Sequence, residues 1–401
     1  MAAAGAILAG ALHIAGQAGG DQYLPWEGGA EYYKKWTNGP PADPAFFPIS
    51  VWYQAASNAA RYKAIGVNQY VGPLSRRPGE GLELLSAEGI ALIGSQNDSN
   101  LASAEKAIIH GWFLFDEPDN AQAKPGGGYG SCILPPAMLK QYADVTAKDS
   151  TRPAYLNFGQ AVVNEPWPGR GDACSGHYEH YAEYIKGTDI VSYDVYPVNG
   201  RLPLWWVARG IDRLREWAAY RKPVWDWIET TSIDGGPKPT PDNVRSEVWL
   251  SIVHGSMGIG YFCHQFRPVT NDAAPLDDAP MRDALAALND RIRTLAPVLN
   301  TPSVANGVSV TTLCPGPVET GFAEAAGMTD EEAAETLPKF MWIPADGVAR
   351  AAVEGLAAGR AVVIPGKANR AGAGLAHLAP KALLLPLMAK RHPALEPGRR
   401  S

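Results

Sequence analysis

Strand-like and helix-like stretches alternate eight times between residues 46 and 299, and this alternation restricts the chain more than any other feature. Short runs rich in β-branched and aromatic residues, such as those beginning at Phe46, Gly66 and Gly89, are each followed by a segment with helical character. A strand buried on both faces and then a helix is the repeating unit of a parallel sheet. Eight repeats favour closure into a (β/α)8 TIM barrel over a doubly wound sheet. The expected fold class is α/β, a barrel of roughly 250 residues with an appended C-terminal α/β fragment. The boundaries follow changes in the character of the sequence: a signal-like or flexible leader over 1–20, the barrel over 21–303 and the fragment over 304–401.

Within the fourth repeat, the run Trp112, Phe113, Leu114, Phe115 ends abruptly in Asp116, Glu117 and Pro118. Proline cannot continue the ladder, so the strand is expected to stop where the acids begin. In a parallel barrel the carboxyl-terminal strand ends form the floor of the active site, and a glutamate there has a desolvation cost that a structural role rarely justifies. A plain N-cap or loop carboxylate is the structural alternative. Glu229 repeats the pattern, closing the apolar run 224–228 ahead of two threonines. Both acids therefore fall on the same rim, after the fourth and seventh strands. Cleavage of a glycosidic bond needs such a pair, one group to protonate the leaving oxygen and one to attack or to activate water. A separation of about 5–5.5 Å gives retention of configuration and about 6.5–9.5 Å gives inversion. The proton donor of such a pair has to hold its proton near neutral pH, which aromatic surroundings favour by disfavouring charge.

On these residues the region 46–299 resembles a clan-A-type glycoside hydrolase barrel. That clan carries its acid/base glutamate at the end of strand four, usually as Asn-Glu-Pro, and its nucleophile at the end of strand seven. The resemblance implies Glu117 as acid/base and Glu229 as nucleophile of a retaining mechanism on a β-linked oligo- or polysaccharide, and Tyr196 as the tyrosine that often bonds the nucleophile. Asp116 departs from the clan's asparagine, which commonly binds the sugar 2-hydroxyl; an aspartate can also accept that bond. Asn164-Glu165-Pro166 spells the motif literally but lies past the end of the fifth strand. Trp52, Gln96, Asn157, Trp227 and His264, near strand ends, are further candidates for substrate contact, each with a structural alternative. Asp194 is another rim acid, whereas Asp226, inside strand seven, is expected to make a structural bond. The rival readings are a carbohydrate-binding barrel that has lost catalysis and, from the tail alone, an oxidoreductase.

The tail changes character near Gly307. Residues 308–327 read as a strand, a Pro-Gly-Pro turn and a helix start, and resemble the sixth-strand region of short-chain dehydrogenases; the stretch from Ile343 resembles that family's closing helix and last strand. A glycine-rich nucleotide turn and a Tyr-x-x-x-Lys pair are both missing, so hydride transfer has neither a cofactor site nor a proton donor. The chain reads as a fusion whose orphan strand is expected to leave unpaired backbone. Residues 378–390, with a Leu-Leu-Leu-Pro-Leu-Met run, read as a packed helix rather than a membrane-surface segment.

A net charge of −6 over 401 residues gives no electrostatic case for nucleic acid. Neither a metal nor an organic cofactor is expected, since none of the four cysteines, Cys132, Cys174, Cys263 and Cys314, has zinc-ligand spacing. Cys132 and Cys174 fall in glycine-rich loops after adjacent strands and could pair in an oxidising compartment, while Cys263 reads as a buried thiol. The leader has the apolar core of a signal peptide without a basic start, which favours a secreted or cell-envelope location; a leader that does not function as a signal implies a cytoplasmic one. It is too short and glycine-rich for a stable membrane span. Sugar identity, linkage and oligomeric state are not written in the sequence.

Overall fold

The computed structural model describes residues 26–74, 81–167, 173–302, 312–313, 318–319, 339–357 and 362–378. The leader, most of 308–327 and the run beyond Leu378 lie outside the described residues. The chain forms two compact units, one spanning Tyr23–Pro302 and one containing Ser303–Ser401.

The first unit is a closed barrel of eight parallel strands in sequential order. They are β1 (Ile49–Trp52), β2 (Gln69–Val71), β3 (Ala91–Ser95), β4 (Ile109–Asp116), β5 (Ala154–Phe158), β6 (Ile190–Asp194), β7 (Val224–Glu229) and β8 (Ile259–Phe262). The helices that follow them in turn are α1 (Ala59–Ala64), α2 (Leu82–Glu88), α3 (Asp98–Ala102), α4 (Pro135–Lys148), α5 (Glu179–Lys186), α6 (Trp206–Trp217), α7 (Pro241–Val253) and α8 (Ala279–Leu299). Local chemistry sets several boundaries. In α7, Thr240 and Asn243 form a reciprocal capping box and Pro241 occupies the first turn. In α8, Met281, Leu285, Leu288, Ile292 and Ala296 recur every three or four residues and are buried.

Strand alternation divides the core into two layers. Val224 and Ile228 of β7 point outward to the helices, whereas Trp225 and Trp227 fill the barrel interior with Trp52, Ile93, Phe113 and Tyr155. Gly260 of β8 makes room for this, because a Cβ there would overlap the Trp227 ring. The aromatic lead-in closes the amino-terminal end. In the 3-10 helix Gly29–Lys35, Tyr33 Oη accepts from Trp225 Nε1 at 3.2 Å and Tyr32 Oη donates to the Asp189 carbonyl at 2.9 Å. A segment that reads as irregular in sequence is thus the floor plug of the barrel.

Cys132 and Cys174 are joined by a disulfide between loops, with a Cα separation of 6.1 Å, and Cys263 is a buried free thiol. Among the described residues no helix is long and apolar enough to cross a membrane.

In the second unit, β9 (Thr312–Leu313) pairs in parallel with β12 (Val362–Val363), and β10 (Val318–Glu319) with β11 (Ile343–Pro344). The helices α9 (Ala345–Ala357) and α10 (Lys367–Leu378) accompany them. The expectation of an unpaired strand is corrected here: the fragment supplies its own parallel partners, short as the ladders are.

Asp226, with Ser251 as its neighbour, is the acid of β7 expected to serve the structure. It lies on the outward face of β7 and is fully buried, as are Glu247 and Ser251 of α7. No side-chain oxygen of these three finds a partner at hydrogen-bond geometry. Burial raises the Asp226 carboxyl well above its ordinary range, against a weak opposing pull from Ser251; burial also raises Glu247, whose second cause is the charge of Glu229 and whose third is that of Asp226. Acids with raised folded-state pKa values stabilise the fold at low pH, and that stability is lost as pH climbs from about 4 through the folded values. The double variant Asp226→Asn/Glu247→Gln should therefore melt above the wild type at pH 8, with the gain shrinking toward pH 4. Thermal melts across that range check it, and a variant less stable at pH 8 would rule it out.

Candidate active site

The carboxyl-terminal mouth of the barrel holds a cluster of acids built by strand geometry. On β5 and β6 the inward positions are Tyr155 and Asn157, and Ile190, Ser192 and Asp194. On β4 the register shifts between Phe113 and Asp116, so that Asp116 pairs with Asn157. Regular alternation from the inward Phe113 would turn Asp116 outward; the irregularity turns it in.

A directional chain of hydrogen bonds fixes the cluster from below. Trp227 Nε1 donates to Tyr155 Oη at 2.8 Å, Tyr155 Oη to Ser192 Oγ at 2.6 Å, and Ser192 Oγ to Asn157 Oδ1 at 2.7 Å. The Asn157 oxygen being occupied, its amide nitrogen faces the acids, 3.2 Å from both Asp116 Oδ1 and Asp194 Oδ2.

Glu117 follows directly, in the left-handed region with φ of 43°. For a residue with a side chain this costs about 1–3 kcal/mol and is held only by its surroundings. Here the Glu117 N–H donates to the Asn157 carbonyl at 3.0 Å, and its carbonyl accepts from the Asn120 N–H and from Gln122 Nε2. Its side-chain Oε2 accepts from Asn120 Nδ2 at 2.9 Å. Asp119, fully buried, anchors the same loop by accepting from the Gly159 N–H at 3.0 Å and from Tyr181 Oη at 2.7 Å. Sequence reading passed over Asp119 and Asn120, although both lie within the stretch that drew attention to Glu117.

Asp194 comes within hydrogen-bonding reach of Glu117. Burial raises the Asp194 carboxyl far above its ordinary range, and the charges of Glu117 and Asp116 add to this; Asp116 is raised by burial and then by Glu117. No lysine or arginine pairs with these three carboxyls among the described residues, and the Asn157 amide is the donor shared by Asp116 and Asp194.

A cavity of about 400 Å³ opens beside them, lined by Glu117, Asn120, Asp194 and Tyr196 on one side and by Trp167, Asn199 and Ile233 among the rest. The Tyr196 phenol is held far above its ordinary value by burial first, then by Asp194, Glu117, Asp116 and Glu229.

Glu229 stands at the end of β7, facing inward but fully buried. Its Oε1 accepts from the Val198 N–H at 2.5 Å, and its Oε2 from the Asn199 N–H at 2.8 Å and Asn199 Nδ2 at 2.5 Å. Burial raises this carboxyl, and the Asn199 and Val198 bonds oppose the rise. Glu229 thus ties down the helical turn Pro197–Gly200, whose Asn199 and Gly200 line the cavity. No hydrogen bond joins it to Tyr196 among the described residues, because the adjacent loop amides occupy its oxygens.

The other candidates are placed as follows. Asn157, Asp116 and Tyr196 gather around Glu117. Trp227 is buried inside the barrel, and Trp52 is 6% exposed beneath Tyr53, whose ring it stacks on at 4.7 Å. Gln96 donates to the Val145 carbonyl at 2.9 Å, toward α4. His264 is occupied by the Trp52 carbonyl at 2.9 Å and Asp272 at 3.2 Å. None of these last four lines the cavity, because a position near a strand end does not decide on which side of the sheet a side chain finds its partners. Glu165 is exposed and paired with Arg213 at 2.8 Å and Arg209 at 3.3 Å, so the literal Asn-Glu-Pro is a surface ion pair.

No family model matches the chain, and no curated protein matches it. Among solved structures it is similar to a β-galactosidase from the psychrophilic Marinomonas ef1, at 10% identity and a TM-score of 0.40, covering 67% of this chain and 63% of that one. It is also similar to a glucosidase from Croceicoccus marinus, at 13% identity and a TM-score of 0.42, covering 67% and 72%. A β-glucuronidase from Ruminococcus gnavus is similar at 13% identity and a TM-score of 0.40, covering 61% of this chain and 49% of that one. The chain thus spans less than two thirds of the galactosidase and about half of the glucuronidase.

Gly159 is the tightest point of the site: a Cβ there would overlap Asn120 Nδ2 and lie 2.9 Å from Glu117 Oε1. Gly159→Ala should destabilise the barrel by about 1–3 kcal/mol. In a double-mutant cycle with Asn120→Ala, which removes the overlapped amide, the combined loss should be clearly smaller than the sum of the two singles. Strict additivity in denaturant titrations would contradict this packing account.

Proposed function

We propose that the barrel is a glycoside hydrolase in which Glu117 is the general acid/base and Glu229 the second carboxylate of a retaining double displacement. The observation that carries the reading is Tyr196. It lines the cavity together with Glu117 and Asn199, and Asn199 is the residue whose N–H and side-chain amide bond Glu229 from behind, which supports a single mouth served by the ends of β4 and β7. The crowding of Asp194 and Asp116 around Glu117 supports a proton kept within the cluster, the condition for protonating a leaving glycosidic oxygen. Water then resolves the intermediate, with Glu117 acting in the reverse sense. The substrate on this reading is a β-linked oligo- or polysaccharide. Export to the cell envelope or beyond belongs to the same proposal, supported by the Cys132–Cys174 disulfide.

A second reading, a carbohydrate-binding barrel without turnover, is favoured by Glu229. A carboxylate fully buried and held by three donors has to shed them before it can attack a sugar.

Glu117→Gln and Glu229→Gln distinguish the two. On the hydrolase reading each should lower kcat by at least about 100-fold, with melting temperature little changed for Glu117→Gln and lowered for Glu229→Gln, whose new amide nitrogen faces the Val198 and Asn199 donors, and NMR of the wild type's first-formed product should show the retained anomer. Wild-type binding of oligosaccharides without any product supports the binding barrel, and full activity in both variants would refute the assignment of the pair.

A further inference from the structure

We infer that the cavity selects sugar residues without negative charge, taking neutral hexosides or amino sugars and rejecting uronic acids and sulfated sugars. This rests on the glycosidase reading of the same site and adds the class of its substrate. The wall carries three carboxylates, Glu117, Asp194 and Asp234, and no lysine, arginine or histidine lines it among the described residues. A fourth acid, Asp116, stands behind them across Asn157.

Among the described basic side chains on the surrounding loops, Arg267 is 3.0 Å from the wall acid Asp234 and offsets its charge, whereas Arg209 and Arg213 are held by Glu165 and Lys238 by Asp278; Glu117 and Asp194 are the wall acids with no cation partner among the described residues. Arg201 follows Gly200 but is exposed and outside the lining.

Hydrogen-bond chemistry points the same way. Carboxyl groups offer mostly acceptor oxygens, which ligand hydroxyl and ammonium groups match and a carboxylate or sulfate does not, and the Tyr196 hydroxyl and Gln160 amide on the same wall are uncharged donors. The Asn157 and Asn120 amides, the donors nearest the acids, are already directed at Asp116, Asp194 and Glu117. Trp167, also in the lining, has a buried Nε1 donor without a partner, and one indole N–H suits a hydroxyl oxygen better than it balances an anion. A further negative charge would enter a cluster in which burial and neighbouring carboxyls already oppose charge on Asp194 and Asp116.

The test uses the full chain with p-nitrophenyl β-glucoside and β-galactoside against the matching β-glucuronide and β-galacturonide, alongside calorimetry with glucose, glucosamine and glucuronate. Hexosides should exceed uronides in kcat/KM by at least about tenfold, and glucose or glucosamine should bind where glucuronate does not. Raising the ionic strength should narrow the gap. Asp234→Lys, which sets a cation on the wall at an exposed position, should narrow it too. Equal or preferred turnover of the uronides overturns the charge selection while leaving the glycosidase reading intact. Selective binding of glucose or glucosamine with no turnover supports the selection and overturns catalysis. Neither turnover nor binding of any of these sugars overturns both.

Discussion

The hydrogen-bond chain running up the barrel interior, from Trp227 through Tyr155 and Ser192 to Asn157, is the interaction on which the mouth of the barrel depends. Each member donates upward, so the orientation of the last is dictated by the first. The indole N–H can only donate, which obliges Tyr155 to pass its own proton to Ser192. Asn157 then has its oxygen taken and its amide nitrogen left for Asp116 and Asp194. Without that nitrogen between them, two inward carboxyls would face one another with nothing to separate their charges. Trp227 is thus a supporting residue whose influence reaches the acids through three others.

The same geometry accounts for what is costly in the site. Asp116 is turned inward only by a local break in the β4–β5 register, and Glu117 adopts a backbone conformation that side chains avoid. Asp116 is held by the Asn157 amide, and Glu117 and its loop by Asn120, by Asp119 and by the close approach of Gly159. Strain confined to one loop and balanced by buried bonds around it is the pattern expected where the position of a carboxylate matters more than local stability. Glu229 is different. It sits at an unstrained strand end, spends its oxygens on the Pro197–Gly200 turn, and so shapes the cavity wall from behind.

Two other buried acids bear on the fold and not on the cavity. Asp226 and Glu247 lie between β7 and α7, where burial pushes both carboxyls up and Ser251 opposes the rise at Asp226. The polarity of β7 therefore has two unrelated meanings on its two faces: Glu229 inward at the mouth, Asp226 outward in the helix layer. The second unit stands on its own local pairings, β9 with β12 and β10 with β11.

Much of this architecture was legible in the amino-acid order. Eight alternations of strand and helix pattern are read directly as a barrel, and apolar runs ending in Glu117 and Glu229 mark the strands whose ends carry acids. Those are local properties, set by side-chain period and by residues such as Pro118 that end a ladder. What only the tertiary structure decided is which polar groups meet. Asp194 joins Glu117 because β4 and β6 lie on either side of β5 in the closed sheet. Glu229 is enclosed because the loop after β6 folds back over it, and Gln96, Trp52, Trp227 and His264 find partners away from the cavity. Hydrogen bonds between residues tens of positions apart depend on register, closure and loop path. No short stretch of sequence contains that information, because each such bond is made by two stretches far apart in the chain that meet only when the barrel closes.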